Sequence, residues 1–396
     1  MKISLPIRVS ATAALFCGLL AVSAQLAQAQ TYRLLFQFSA GRDGAAPLAG
    51  LVSDPKGNLY GTTSSDGAFD SGVVFKISAP HKETVLHSFS GSGGDGEYPL
   101  AGLVRDAAGN LYGTTANGGV YGGACGGFGC GTVFKVNSAG KEIVLHRFTG
   151  APDGSTPYAG LIRDVVGNLY GTTFSGGQYG FGTVFEINKD GEASVLYSFN
   201  PNNGDGAIPY GGLARDAAGN LYGTTDAGGK FGDGTTFKVD TGGVETILYN
   251  FGSYSGDGIL PSGALIRDAA GNLYGTTQSG GTLGLGTVFK VDKTGKETLL
   301  HGFAGGTKDG EVPFLAGLVR DSKGNLYGAT NEGGRFSFGT VFKLAPSGKE
   351  TLLHSFDGKD GKIPYGSLIL DGKGNLYGTT SAGGEYGGGV VYEIVP

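Results

Sequence analysis

AGLVRDAAGNLYGTT, residues 101–115, holds the motif that decides the fold, because its core string GNLYG returns seven times along the chain. The copies begin at Gly57, Gly109, Gly167, Gly219, Gly271, Gly324 and Gly374, at spacings of 52, 58, 52, 52, 53 and 50 residues. A period of this length marks an array of supersecondary units, none of which can bury its apolar face alone. Working outward, each unit reads approximately P-x-A-G-L-V-R-D-A-A-G-N-L-Y-G-T-T-x-x-G-G-x-x-G-x-G-T-V-F-K-V-x-x-x-G-K-E-T-L-L-H-S-F-x-G-x-x-D-G and then returns to Pro. No linker or composition break interrupts the series, so residues 30–396 are expected to form one domain.

In the second unit, Ala101 to Arg105, Asn110 to Thr115, Thr132 to Val136 and Ile143 to Phe148 are short β-type runs without helical periodicity. Asp106-Ala107-Ala108-Gly109 between the first two predicts a tight hairpin, with the Asp oxygen holding backbone N–H groups and Gly at positive φ. Four antiparallel strands per unit and seven units predict an all-β fold, a seven-bladed β-propeller. Recurrent aromatics such as Tyr112, Phe134 and Phe148 are expected to pack blade on blade, each contributing on the order of 2 to 3 kcal/mol. Tyr32 to Phe38 matches the outermost-strand segment, and Val390 to Val395 matches the third strand. Pairing of Arg33 to Phe38 with Val390 to Val395 is expected to complete the seventh blade and clasp the ring.

The first residues carry processing information. Lys2 and Arg8 form a basic start, Ala11 to Ala24 is an apolar and small-residue run, and Ala27-Gln28-Ala29 fits a cleavage site. Residues 1–29 are therefore read as a signal peptide, and the mature chain as secreted, periplasmic or extracellular. The apolar run is too short for a bilayer span, which needs roughly 20 residues. Phe16 before Cys17 argues against a lipid anchor.

Glycine supplies 79 of 396 residues, without the three-residue period of collagen, and so calls for many turns. The net charge of −5 becomes more negative once Lys2 and Arg8 are removed, which argues against a nucleic-acid partner. No other stretch is long and apolar enough to span a membrane, and no cofactor is expected.

The unit resembles the Gloeobacter/Verrucomicrobium-type tandem repeat of the choice-of-anchor tandem repeat GloVer-containing proteins. GNLYGTT, the GG-x-x-G-x-GTVFK segment and the GKET-x-L-H-x-F segment carry the match over essentially all of the mature chain. The resemblance implies a secreted or surface protein of propeller-like architecture and implies no reaction. Members often end in an anchor segment, whereas Pro396 directly follows the last repeat, so a released protein is expected. Kelch and quinoprotein propellers are poorer comparisons because this chain has no Trp. The GNLY turn is similar to that of NHL-type propellers, which implies that the AGLVR strand is innermost, followed outward by NLYGTT, GTVFKV and ETLLHSF.

With that order the innermost strands, from Ala49 to Ser53 through Gly366 to Leu370, hold no carboxylate, His or Cys. A channel-lining acid/base pair or metal cage is thus missing from them. His87, His146, His301 and His354 occupy one position of the outermost strand, where other copies carry Gln37, Tyr197 and Tyr249, an interchange that suits packing. The Asp-Gly loops, with Asp43, Asp95, Asp153, Asp205, Asp257, Asp309 and Asp360, read as capped turns; one Asp per loop falls short of a calcium loop. The double-glycine loops offer Phe69, Tyr121, Tyr179, Phe231, Leu283, Phe336 and Tyr386, read as wedges between blades. Arg105, Arg163, Arg215, Arg267 and Arg320 end inner strands on the opposite face, each followed by Asp, and are expected to pair with acids. Cys125 and Cys130, in the largest insertion of the series, are expected to form a disulfide, since metal binding would need a second ligand pair.

Tyr158, Tyr210, Phe314 and Tyr365 follow the recurrent Pro near the expected channel mouth. With Asp153, Asp205, Asp309 and Asp360 they form the candidate ligand site, an aromatic and acidic platform for a polar ligand such as an extracellular glycan. The first reading of function is a secreted, monomeric, non-catalytic binding or scaffold propeller with a glycan or protein partner. The alternative is a hydrolase or lyase of extracellular polymers. An enzyme should break the repeat with unique polar residues near the channel; apart from the Cys-containing insertion this chain barely does so.

Overall fold

The computed structural model describes residues 30–395. They form seven four-stranded antiparallel sheets, one per repeat, and four two-stranded ribbons that tie loops together. The signal peptide read over residues 1–29 lies outside the described residues. In the second blade Val104–Arg105, Leu111–Thr115, Thr132–Val136 and Glu142–Arg147 are hydrogen-bonded in that order, from axis to rim. The first two are joined by the expected hairpin: Gly109 has φ 87°, and Asp106 Oδ1 accepts the Asn110 N–H at 2.8 Å.

The innermost strand is shorter than the run Ala101 to Arg105, since only Val104 and Arg105 pair. Residues 101–103 give up sheet pairing because they crowd the same segments of neighbouring blades. A Cβ on Gly160 would stand 3.1 Å from the Gly102 carbonyl oxygen, and one on Gly102 3.3 Å from that of Gly50. The third position of LYGTT is fixed by packing too: a Cβ on Gly113 would lie 2.6 Å from Phe134 Cζ, so the glycine makes room for the ring of the adjacent strand.

The core consists of seven clusters, each shared by two consecutive blades. Phe89 of the first blade meets Phe134 of the second edge to face at 4.9 Å, and both are fully buried. Threonine hydroxyls stitch blade to blade: Thr62 Oγ1 donates to the Ala101 carbonyl at 3.1 Å and Thr114 Oγ1 to that of Ala159 at 3.1 Å. Thr379 Oγ1 closes the circuit on the Ala49 carbonyl at 2.8 Å.

A second latch explains three repeated residues together. The Tyr170 hydroxyl donates to Asp164 of its own hairpin, while Arg215 of the next blade lies over the Tyr170 ring. Arg105, Arg163, Arg267 and Arg320 cover Tyr60, Tyr112, Tyr222 and Tyr274 in the same way. The expectation that these arginines pair with acids is therefore corrected. Their partner is chiefly a tyrosine face of the preceding blade, and only Arg215 also comes within 3.9 Å of a carboxylate, that of Asp164.

The ring closes as expected. Thr31–Gln37 runs antiparallel to Val390–Val395, with Thr31 opposite Val395 and Gln37 opposite Val390. Ser88 faces Val73 as Gln37 faces Val390, and His87 faces Val74 as Phe36 faces Val391. The seventh-blade counterpart of the outer-strand histidines is therefore Phe36, not Gln37. The bulge between Leu34 and Phe36 keeps this register, and Gln37 Oε1 instead accepts the Glu385 N–H at 2.6 Å.

Candidate functional site: an axial cavity with an aromatic rim

Each outer strand hands the chain to the next inner strand through a crossover carrying first the Asp-Gly pair and then the Pro-aromatic pair. The residue before each proline is left-handed: Ala46, Tyr98, Thr156, Ile208, Leu260, Val312 and Ile363 have φ between 54° and 62°. This conformation is costly for β-branched residues, on the order of 1 to 3 kcal/mol each. It is held by a backbone bond from the residue that follows LYGTT, as in Asp226 N–H to the Ile208 carbonyl at 3.0 Å and Phe174 N–H to that of Thr156 at 3.1 Å. The kink turns the residue after proline toward the axis.

Inner segments from all seven units line an axial cavity of about 240 Å³. The structure brings Tyr158, Tyr210, Phe314 and Tyr365 together along one side of its rim. Tyr158 and Tyr210 stack at 5.3 Å, Phe314 meets Tyr210 at 5.9 Å, and Tyr365 meets Phe314 at 6.0 Å. Phe314 reaches Tyr210 across the fifth blade because Ser262 stands there in place of a ring, and Ser262 Oγ accepts the Leu315 N–H at 3.3 Å. The opposite side of the rim carries Leu48 and Leu100. All four rings are half-buried, and burial raises the phenols of Tyr158, Tyr210 and Tyr365.

The aspartates expected beside these rings sit at the far, rim end of their crossovers. Asp205 Oδ2 accepts the Tyr197 hydroxyl at 2.7 Å and the Asn200 N–H at 3.0 Å. Asp153, Asp309 and Asp360 meet His146, His301 and His354 at 3.0, 3.2 and 2.8 Å. None of the four lines the axial cavity. The outer-strand His/Tyr interchange is thereby explained, since either ring offers a donor to the Asp of the following turn.

Sequence reading passed over the polar residues that border the aromatic rim. The position after LYGTT reads Ser64, Ala116, Phe174, Asp226, Gln278, Asn331 and Ser381, so here the repeat does break. Phe174 extends the aromatic patch, meeting Tyr158 at 5.1 Å and Tyr210 at 4.9 Å. Asp226 stands close enough for its charge to act on Tyr210, and its Oδ1 is buried without a partner. Desolvation pushes its carboxyl up to about 6. Asn331, 5% exposed, likewise has an unpartnered Oδ1. The signal available in sequence was this variation directly after an otherwise near-constant pentapeptide.

The double-glycine residues Phe69, Tyr121, Tyr179, Phe231, Leu283, Phe336 and Tyr386 are not wedges: they are 43% to 61% exposed. The glycines around them turn the loop outward instead. The Cys125–Cys130 disulfide closes the inserted loop of the second blade. Among the described residues no helix is long and apolar enough to cross a membrane.

These features define a seven-bladed propeller with a cavity open on the crossover face. The chain belongs to the Gloeobacter/Verrucomicrobia repeat family, whose pattern matches residues 22–124, 120–275 and 261–396. No curated protein sequence matches it. Among solved structures it is similar to the extracellular domain of a protein assigned to the hybrid two component systems of B. thetaiotaomicron, with TM-score 0.60 and 10% identity, over 91% of this chain and 39% of that one. A second such extracellular domain from B. thetaiotaomicron gives TM-score 0.55 and 14% identity over 92% and 41%. A puromycin-hydrolyzing peptidase of Mycobacterium tuberculosis gives TM-score 0.50 and 12% identity over 88% and 53%. The chain thus spans about two fifths of the length of those two-component-system chains, and at these identities the likeness is one of fold.

Proposed function

We propose that the mature chain, residues 30–396, is an exported, monomeric, non-catalytic binding propeller that takes a polar extracellular ligand of the glycan class at the axial rim. The observation that carries this reading is the unbroken run of rings from Tyr158 through Tyr210 and Phe314 to Tyr365 on one side of the cavity. Ring faces give apolar contact to sugars, and the hydroxyls of Tyr158, Tyr210 and Tyr365 on the cavity lining offer hydrogen bonds to sugar hydroxyls. Asp153, Asp205, Asp309 and Asp360 serve the site by fixing the crossovers that present the rings. Export is supported by the basic and apolar leader and by the disulfide, which oxidising compartments favour. The two-component-system domains of similar fold are extracellular, in keeping with this reading.

A hydrolase is the second reading, favoured by the raised carboxyl of Asp226. It is weaker because glycoside cleavage ordinarily uses two carboxylates, and no Asp or Glu lines the cavity among the described residues. A glycan array probed with the mature chain tests the proposal. Tyr210→Ala with Tyr365→Ala should abolish binding of any glycan found while leaving the circular dichroism unchanged; binding that survives the double change refutes the placement.

A further inference from the structure

Away from the axis, one outer-rim junction sets a histidine beside the Asp of the turn without a hydrogen bond between them. At the second through sixth blades the Asp of the turn is satisfied by the outer-strand His or Tyr, as in His146–Asp153 at 3.0 Å and His354–Asp360 at 2.8 Å, and the seventh carries Phe36 at that position. At the first blade His87 Nε2 stands 3.7 Å from Asp95 Oδ2, too far for a hydrogen bond. His87 Nε2 is buried and has no hydrogen-bond partner. Glu142, from the outer strand of the second blade, brings a second orphan, Oε1, to the same place. One ligand atom from each of His87, Asp95 and Glu142 lies within 4.8 Å of the others.

We propose that His87, Asp95 and Glu142 form a divalent transition-metal site of the zinc class, clamping the first blade to the second. Two buried polar atoms left unpaired at one point are costly, and a shared cation removes both penalties at once. Imidazole with carboxylates suits zinc better than calcium or magnesium, which prefer oxygen alone. Ligand bonds of about 2.0 to 2.2 Å would draw the three side chains inward and leave a fourth position for water. The two carboxylates balance the charge of the ion. Arg147 lies beside the cluster: its Nε donates to the Gly94 carbonyl at 2.6 Å and its charge acts on Glu142.

The loop that carries Asp95 is braced by the same pair of backbone donors that hold Asp205 and Asp309, with a tyrosine hydroxyl added. Tyr121, from the disulfide-closed insertion, donates its hydroxyl to the Gly91 carbonyl, and Asp95 itself accepts the Ser90 N–H at 2.8 Å and the Gly96 N–H at 2.7 Å. Hydrogen bonds that orient a ligating carboxylate are a regular part of metal sites. His301, Asp309 and Glu350 repeat the residue types at another junction, but there His301 already contacts Asp309 at 3.2 Å, which makes it the internal control.

Zinc chloride titrated calorimetrically into the chelator-treated mature chain should bind one ion per chain and raise the melting temperature. Loss of a ligand's hydrogen-bond partner alone costs about 10- to 100-fold in affinity. His87→Gln and Glu142→Gln should therefore each weaken zinc at least about tenfold, whereas His301→Gln should not. No zinc binding by the wild type, equal binding by His87→Gln, or loss on His301→Gln overturns the assignment. Should either variant fail to fold, wild-type crystals grown with zinc decide: an anomalous peak among the three side chains supports the site, and its absence there refutes it.

Discussion

Arg215 lies over the ring of Tyr170 across a blade boundary, with its guanidinium carbon 5.4 Å from the ring centroid. The pair ties the hairpin Asp, the GNLYG tyrosine and the inner-strand Arg into one unit, which is why all three recur with the same period. A cation over a ring is worth about 0.5 to 2 kcal/mol. Arg215→Met should lower unfolding free energy by about 1 kcal/mol. A double-mutant cycle with Tyr170→Leu in urea checks it; a coupling of zero would reduce the contact to mere proximity.

The glycine inside LYGTT should tolerate nothing larger. Gly223 leaves 2.6 Å between a would-be Cβ and Phe237 Cζ, and Phe237 is fully buried. Gly223→Ala should destabilise by about 1 to 3 kcal/mol, whereas Gly57→Ala, with nothing within 4 Å but φ 81°, should lose only the backbone preference. Equal losses in chemical denaturation would contradict the packing argument.

Ring closure rests on a strand of seven residues, Thr31–Gln37, laid on Val390–Val395. Deleting residues 30–38 removes Phe38 from the core and uncovers Tyr392, both fully buried in the intact chain. A sharp fall in melting temperature is expected in calorimetry. An unchanged value would mean that the other blades hold the ring unaided.

Stability should depend on pH in an unusual direction. Burial first, and the charge of Asp205 second, push Glu245 up to about 7, and its Oε1 is buried without a partner. Glu83 beside Asp43 and Glu350 beside Asp309 repeat the arrangement, each also near 7. A carboxyl raised above its unfolded value of about 4.3 is neutral in both states below that value, and full stability is present there. As pH climbs from there through about 7, the unfolded chain ionises first and stability is lost. Melting temperatures should therefore fall between about pH 5 and pH 8, and Glu245→Gln should narrow the fall. No change in the variant would show the carboxylate already ionised and solvated.

The disulfide spans a short loop, so its removal should cost about 2 kcal/mol. Cys125→Ser with Cys130→Ser tests this by denaturation, and a thiol assay on unreduced residues 30–396 should find none at these positions.

Much of this architecture was legible because GNLYG, the turn glycines and the strand runs repeat, and repetition reports packing. Blade order, the closing strand and the Cys125–Cys130 bond followed from period and spacing. Details that depend on a neighbour across a boundary did not. The arginines were matched with the adjacent Asp in sequence, while their tyrosine partners lie a whole repeat upstream. The outer histidines were read without the Asp of the following turn, six to eight residues on, and so the unsatisfied pair at His87 was invisible. Gln37 was misplaced by one: counted back from Phe38, the counterpart of Phe89, the residue that matches His87 is Phe36, and the bulge at Leu34/Phe36 is one that the other blades share. Asp226 and Asn331 were overlooked because variation after LYGTT looks like loop drift until the left-handed kinks bring it beside the rim.

The antiparallel clasp that sets Thr31 opposite Val395 leaves the two strands ending side by side, as the third and outer strands do on either side of the turn at Asn137–Gly140. Joining residue 395 to residue 31 through a copy of that turn, and cutting the chain within Asn137–Gly140 instead, would redraw the same ring from a different starting blade. The molecule is in this sense a circle with a movable seam, and a circular permutant should fold to it with every inter-blade contact intact.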